Sequence, residues 1–180
     1  QPGLNISHPA EAHDVTREGD ALVVQAPTRP IRHRGDTLQG PLLSVRLDSP
    51  LEGVIRVAVE HYAGGRRRGP TVPLAAGPCP PIEISEGAAG VALRSGVLTA
   101  RVVTKGDWEL RFEHADGSLC TRSGRRGMGY VRNDDGRVFM HEQLDLGVGE
   151  NVYGLGERFT AFVKNGQVVE NWNKDGGTGS

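Results

Sequence analysis

Apolar and polar side chains alternate with a period of two along most of this chain, which is the pattern of β-strands with one buried face. The clearest example is residues 108–113, which read Trp-Glu-Leu-Arg-Phe-Glu. Residues 98–105 are rich in β-branched side chains, and Gly106-Asp107 between the two segments suits a two-residue turn. These residues are therefore predicted to form a β-hairpin.

The same alternation recurs between turn signals such as Gly19-Asp20 and Asp134-Asp135-Gly136. Asn165-Gly166 is a further hairpin signal, and Pro50 is expected to separate two strands. The predicted strands are residues 15–17, 22–25, 42–47, 54–62, 82–85, 91–94, 119–122, 128–132, 138–143, 160–164 and 167–172, in addition to the two strands of the hairpin above. No stretch of ten or more residues carries a helical period. The fold class is predicted to be all-β, an antiparallel β-sandwich.

Composition agrees with short elements joined by turns, because 26 glycines and 11 prolines occur among 180 residues. A chain of this length is expected to form a single domain, residues 1–180, with a real core. The net charge of -1 predicts no general attraction to nucleic acid or to an anionic membrane. The three arginines of residues 64–69 are read as a solvated loop. With no signal peptide visible, a cytoplasmic location is expected, and export is left open because the chain begins at Gln1.

Few motifs point to metal or cofactor chemistry. Six histidines are scattered without ligand spacing, and Gly154-Leu155-Gly156 lacks the third glycine of a dinucleotide fingerprint. No metal and no cofactor are therefore predicted. Cys79 and Cys120 are expected to be free thiols in a reducing compartment, with a disulfide between them as the alternative.

The residues between 152 and 175 combine aromatic rings with carboxylates, amides and glycines. Four of the nine aromatic residues of the chain fall here, namely Tyr153, Phe159, Phe162 and Trp172. This mixture suits a polyhydroxylated ligand, because rings lie against the C–H face of a sugar while carboxylates and amides bond its hydroxyls. The structural alternative is a tight β corner with a few buried rings.

Two blocks carry a resemblance to a known family. Tyr-Gly-Leu-Gly-Glu-Arg-Phe at residues 153–159 and Trp-Asn-Lys-Asp-Gly-Gly at residues 172–177 resemble the N-terminal β-domain of glycoside hydrolase family 31. The likeness is strongest to its bacterial α-xylosidase branch, with α-glucosidases as relatives. It implies a galactose mutarotase-like β-sandwich leading into a catalytic (β/α)8 barrel. The chain would then stop before that barrel, with its own β-domain incomplete at the C-terminal end.

The resemblance also implies a function. The parent enzyme would be a retaining, exo-acting α-glycosidase that hydrolyses terminal α-linked xylosides or glucosides. No catalytic residue would lie in this chain, so the chain alone is predicted to be inactive. Asp175 would contact the substrate, and Trp172 and Asn173 would support its loop or contact the sugar as further substrate-binding residues. From their charges alone, Glu157 and Arg158 are expected to form a buried ion pair that sets the shape of the loop.

The expected partners are an α-linked oligosaccharide or xyloside and the catalytic barrel of the same polypeptide. An incomplete sandwich exposes strand edges, and a homo-oligomer is one way to cover them. The rival interpretation is a stand-alone, non-catalytic carbohydrate-binding module.

Overall fold

A computed structural model describes residues 3–38, 40–61, 80–156 and 159–171. The chain divides into two compact units, Gln1–Asp145 and Leu146–Ser180. All strands of the described residues lie in the first unit, which also holds a short 3-10 helix, Arg34–Leu38. Among the described residues, no helix is long and apolar enough to cross a membrane.

The first unit contains twelve strands within the part of the chain that the structure describes. They are β1 (Leu4–Ser7), β2 (Asp14–Glu18), β3 (Ala21–Pro27), β4 (Leu42–Leu51), β5 (Val54–His61), β6 (Ile82–Gly87), β7 (Gly90–Ser95), β8 (Leu98–Val102), β9 (Leu110–Glu113), β10 (Leu119–Ser123), β11 (Met128–Asn133) and β12 (Val138–Glu142). All paired neighbours are antiparallel.

The strands form three sheets. A five-stranded sheet has the order β10-β9-β8-β7-β6, a four-stranded sheet the order β2-β3-β4-β5, and a three-stranded sheet the order β1-β11-β12. The two larger sheets share one apolar core, so they pack face to face as a β-sandwich. The predicted all-β, antiparallel fold is confirmed.

The core is built from the inward-facing positions of alternating strands. In β4, for example, Leu43, Val45 and Leu47 are fully buried, while the residues between them are partly exposed. The buried core comprises Ala12, Leu22, Val24, Ala26, Leu43, Val45, Leu47, Val91, Leu93, Ala100, Val102, Trp108, Leu110 and Met128. Removal of this apolar surface from water is the main stabilising term of the sandwich.

A small polar cluster joins the two large sheets inside this core. The hydroxyls of Ser49 on β4 and Ser95 on β7 are 2.7 Å apart, and Ser49 also donates to the carbonyl of Leu51 at 2.8 Å. The amide of Gly53 donates to Ser95 Oγ at 3.2 Å. Because every member is paired, the cluster does not leave a buried polar group without a partner.

Most of the predicted hairpins form, but Pro50 does not separate two strands. It lies within β4, and the turn to β5 falls at Glu52-Gly53, where Gly53 has a φ of 73°. Pairing between β4 and β5 shifts its register between Asp48 and Leu51. Such an irregularity tolerates proline, because the missing amide is not required in the ladder there.

The hairpin of residues 98–113 has a wider connection than predicted. Its ladder ends at the pair Val102–Leu110, and the amide of Val103 donates to the carbonyl of Glu109 at 3.0 Å. The amide of Trp108 instead donates to the carbonyl of Ala10 at 2.9 Å. Trp108 is thus held outside the ladder, where its ring fills the core rather than extending β9.

Several predictions fall wholly or partly outside the described residues. Residues 62–79 include the arginine loop and Cys79, so the thiol prediction is testable here only at Cys120, which is an exposed free cysteine. The predicted strands at 160–164 and 167–172 do not form within residues 159–171. The Asn165-Gly166 turn between them does form, with Gly166 at a φ of 72° and Gln167 N donating to Lys164 O at 3.0 Å.

Candidate functional site

The candidate site is the second unit, Leu146–Ser180, because it carries the aromatic and acidic block singled out by the sequence. The predicted substrate-contacting residues Asp175, Trp172 and Asn173 lie outside the described residues. The same holds for Glu157 and Arg158. The described geometry is that of the segment leading to them, residues 146–156 and 159–171.

One asparagine side chain organises this segment. Asn165 Oδ1 accepts a hydrogen bond from Val152 N at 2.7 Å, and Asn165 Nδ2 donates to Glu150 O at 2.9 Å. Next to it, Lys164 N donates to Val152 O at 2.8 Å. The side-chain amide of Asn165 therefore makes the pair of hydrogen bonds that a neighbouring strand would make. It accepts from one backbone N–H group and donates to one backbone carbonyl of the segment facing it.

A lysine is buried beside this asparagine. Lys164 is only 8% exposed, and its ammonium donates to Thr160 Oγ1 at 2.8 Å and to Ala161 O at 2.7 Å. Within the described residues it has no carboxylate partner in an ion pair. Its ammonium group is instead hydrogen-bonded to neutral oxygens of Thr160 and Ala161. Lys164 therefore links the two ends of the segment of residues 160–164.

Three aromatic rings among the described residues of this unit are solvent-exposed. Tyr153 and Phe162 pack against each other with centroids 5.1 Å apart and planes tilted by 47°. Phe159 is 91% exposed and Phe162 is 79% exposed. Exposed rings in one short segment offer apolar faces to a ligand or a protein surface.

The backbone between Tyr153 and residue 157 is unusual. Gly154, Leu155 and Gly156 all have positive φ, at 92°, 67° and 83°. Glycine adopts this region freely, whereas Leu155 does so at an energetic cost. The prediction that these residues form a turn agrees with this geometry.

A polar cleft of about 350 Å³ in the first unit is a competing site. Its lining includes Arg122, Arg125 and Arg126. Arg122 contacts Asp145 at 2.6 Å and Glu109 at 3.8 Å, and Arg125 lies 3.7 Å from Asp107. The hydrogen bond that Arg122 donates to Asp145, with the nearby charges of Asp145 and Glu109, raises the pKa of Arg122. Carboxylates therefore already pair with two of the three guanidinium groups, which offsets much of the positive charge that an anionic ligand would require.

No group of three or more His, Cys, Asp or Glu side chains within the described residues is arranged to hold a metal ion. The described residues of the second unit offer hydrogen-bonding side chains and exposed aromatic faces.

Comparison with known proteins identifies the family. Residues 44–180 match the model of the glycosyl hydrolase 31 N-terminal galactose mutarotase-like domain. The chain belongs to this family. The family resemblance drawn from the two terminal sequence blocks is thus confirmed.

Two curated relatives are α-xylosidases. The chain is 40% identical over 178 residues to alpha-xylosidase XylQ of Lactiplantibacillus pentosus, covering 98% of this chain and 23% of the relative. It is 38% identical over 169 residues to an alpha-xylosidase of Emericella nidulans, covering 83% of this chain and 22% of the relative. The chain therefore spans less than a quarter of the length of either protein.

Solved structures confirm the fold. An uncharacterized protein of Listeria monocytogenes EGD-e superposes with a TM-score of 0.69 at 14% identity, covering 96% of this chain and 15% of that protein. The cycloalternan-forming enzyme of Listeria monocytogenes, solved with a pentasaccharide substrate, gives 0.68 at 15% identity, with the same coverage of 96% and 15%.

The structural roles of Lys164 and Asn165 do not follow from the sequence pattern. Asn165 was recognised only as a turn former next to Gly166, although an asparagine side chain also has the donor and acceptor needed to bridge a neighbouring backbone. Lys164 gave no signal, because a lysine in a polar turn is normally solvated.

Proposed function

We propose that this chain is the N-terminal, pocket-contributing domain of a retaining, exo-acting α-glycosidase that hydrolyses terminal α-linked xylosides or glucosides. The observation that carries the proposal is the family match, which extends to residue 180 and so includes Asp175 and the sequence block of residues 172–177. The 40% identity to an α-xylosidase over 98% of this chain supports an α-xyloside as the first substrate to test.

In the proposed mechanism, Asp175 holds the sugar while other residues break the bond. Retaining hydrolysis uses two carboxylates about 5 to 5.5 Å apart, one as nucleophile and one as acid and base. Both would be supplied by a barrel in a longer polypeptide. Asp175 would accept hydrogen bonds from hydroxyls of the terminal sugar, each contributing about 1.5 to 3 kcal/mol.

The described part of the second unit supports this role for Asp175. Lys164 donates to Thr160, the side chain of Asn165 accepts from Val152 N, and Gln167 N donates to Lys164 O, so these bonds hold the backbone of residues 160–167 in place. A carboxylate selects one sugar orientation only if its loop is held in place before the substrate arrives. Trp172 and Asn173 would complete the support of that loop.

The proposal predicts that the 180-residue chain alone hydrolyses nothing. Purified chain should release no nitrophenol from 4-nitrophenyl α-D-xyloside or α-D-glucoside above the rate of buffer. Measurable release that follows the protein through two orthogonal purification steps would contradict the assignment of catalysis to other residues.

The role of Asp175 is testable in a chimera in which this chain replaces the matching 23% of alpha-xylosidase XylQ. Asp175→Ala should lower kcat/KM for 4-nitrophenyl α-D-xyloside on the order of tenfold to hundredfold, because charged hydrogen bonds to the sugar are lost. Asp20→Ala, in the exposed turn between β2 and β3, is the matched control and should stay within twofold. Melting temperatures of the three chimeras should agree.

Two results would count against the proposal. One is a chimera with Asp175→Ala that keeps the kcat/KM of the unsubstituted chimera. The other is an unsubstituted chimera that folds cooperatively yet has no activity on any α-xyloside or α-glucoside.

A further inference from the structure

A second cleft lies on the first unit, on the outer face of the four-stranded sheet. The loop between β3 and β4, which contains the 3-10 helix, lines it from one side, and β2, β3 and β4 line it from the other. Its volume is about 500 Å³. Sites for small organic ligands typically measure about 300 to 1,000 Å³, so the cleft is large enough for one or two sugar rings.

A row of polar side chains crosses the sheet at this cleft. Asp14 on β2 pairs in register with Gln25 on β3, and Gln25 pairs with Ser44 on β4. Residues in register on adjacent strands point to the same face and are about 5 Å apart. A carboxylate, an amide and a hydroxyl are therefore aligned across three strands, and the first two line the cleft.

Two polar groups of this row remain available to hydrogen-bond a ligand. Ser44 Oγ donates to Gln25 Oε1 at 3.0 Å, which orients the amide. Within the described residues, the Gln25 amide nitrogen and the Asp14 carboxylate have no protein partner. An oriented amide donor beside a carboxylate acceptor is suited to binding neighbouring hydroxyls.

The next row of the sheet is apolar. Pro27 on β3 is in register with Leu42 on β4, and both line the cleft together with Ile31 and Pro41 from the loop. One part of the cleft therefore offers hydrogen-bonding groups and the adjacent part offers aliphatic surface. That division matches a sugar ring, which has hydroxyls at its edge and C–H groups on its face.

The loop that walls the cleft is tied down at both ends. Thr28 donates to the carbonyl of Pro41 through its amide and its hydroxyl, each at 3.1 Å. Farther along, Ile31 N donates to Glu11 Oε1 at 3.0 Å. Because the loop is already fixed by these bonds, less of its conformational entropy would be lost when a ligand binds.

Charge favours a neutral ligand. Asp36 in the wall accepts hydrogen bonds from the amides of Arg32 and His33, at 2.8 and 3.0 Å, and these bonds hold the pKa of Asp36 below its ordinary value. Asp14 and Asp36 thus oppose the single guanidinium of Arg29 in the lining. Two carboxylates at one cleft disfavour phosphates and other anions.

From these observations we infer that the outer cleft is a second saccharide-binding site, non-catalytic and selective for neutral sugars. It lies in a different unit from Asp175 and goes beyond the proposed function. Gln25 would donate to a sugar hydroxyl, Asp14 would accept from a neighbouring one, and the accessible side chains of Leu42, Ile31 and Pro41 would pack against the ring.

The test is a titration of the ¹⁵N-labelled 180-residue chain with xylose, glucose and a xyloglucan heptasaccharide, followed by amide chemical shifts. We expect saturable shifts at Asp14, Gln25 and Thr37. Gln25→Leu should raise the Kd on the order of threefold to tenfold, as expected for losing one neutral hydrogen bond. Thr16→Val, also on an exposed position of β2 but outside the cleft, is the matched control and should leave the Kd unchanged within twofold.

Three outcomes would overturn the inference. They are no saturable shifts with any of the three sugars, equal binding by the unsubstituted and Gln25→Leu chains, or tighter binding of glucuronate than of glucose. Shifts that Asp175→Ala abolishes and Gln25→Leu leaves intact would instead place binding at the acidic loop, which separates failure of this inference from failure of the proposed function.

Discussion

At the scale of single residues, the second unit depends on the side chain of Asn165. Asn165→Ala removes the acceptor of Val152 N and the donor to Glu150 O, so the Val152 amide should exchange with solvent faster, on the order of tenfold. Asn165→Asp keeps an acceptor for Val152 N and should show a smaller increase. Hydrogen exchange read by NMR measures both, and equal rates in all three chains would exclude the bridging role.

Two buried serines form a matched pair with opposite expectations. Ser95 is hydrogen-bonded to Ser49 and Gly53, so Ser95→Ala leaves buried partners unsatisfied and should cost about 1 to 3 kcal/mol of unfolding free energy. The hydroxyl of Ser123 is also buried but has no partner among the described residues. Ser123→Ala should therefore be neutral or stabilising. Urea unfolding of both variants measures these changes. A larger loss of unfolding free energy for Ser123→Ala than for Ser95→Ala would contradict the expectation.

One carboxylate gives the stability a defined pH dependence. Hydrogen bonds from Arg56, together with the charges of Arg56 and Arg46, hold the pKa of Asp48 below its ordinary value despite its partial burial. A lowered pKa means that the stabilisation is complete above the ordinary pKa of an aspartate and disappears as the pH falls through the folded value.

Asp48→Asn should therefore lower the unfolding free energy at pH 7 by about 1 kcal/mol, since the arginines are half-exposed. The difference from the unsubstituted chain should shrink below pH 4 or so, where Asp48 itself becomes protonated. Urea unfolding at a series of pH values measures this. A difference that stays constant down to pH 2 or so would rule out the ion pair as its source.

At the scale of elements, the hairpin of β6 and β7 requires glycine on one side only. A Cβ on Gly90 would lie 2.0 Å from the carbonyl oxygen of Val102 on β8, and Gly90 has a φ of 121°. Gly90→Ala should therefore cost about 3 kcal/mol or more. Gly87, its pairing partner, has open space around it, so Gly87→Ala should change stability by no more than about 0.5 kcal/mol. Thermal unfolding of the two variants tests the difference.

Elements were predictable from the sequence where one face of a strand is buried and a glycine marks the turn. The hairpins β2-β3 and β11-β12 are examples, because alternation and positive-φ glycines agree there. The predicted strand break at Pro50 is wrong, because the register shift that tolerates this proline within β4 is set by pairing with β5 and not by local sequence. Trp108 was assigned to a strand, because its hydrogen bond to Ala10 joins residues far apart in sequence.

At the scale of the whole molecule, the family could be predicted because two short blocks carry a specific pattern of aromatic, acidic and glycine residues. The hydrogen bonds that hold the segment between these blocks could not be predicted. The bridging by Asn165 and the burial of Lys164 depend on which backbone groups come to lie opposite them, and single-residue propensities do not contain that information.

We propose that Asp175 contacts the sugar whose bond is broken by residues outside this chain. The most direct measurement is a crystal structure of the XylQ chimera with an α-xyloside bound. The account predicts a distance of about 2.5 to 3.0 Å between an Asp175 carboxylate oxygen and a hydroxyl of the terminal sugar. An Asp175 carboxylate bonded within the β-domain, with no sugar atom in hydrogen-bonding range, would contradict it.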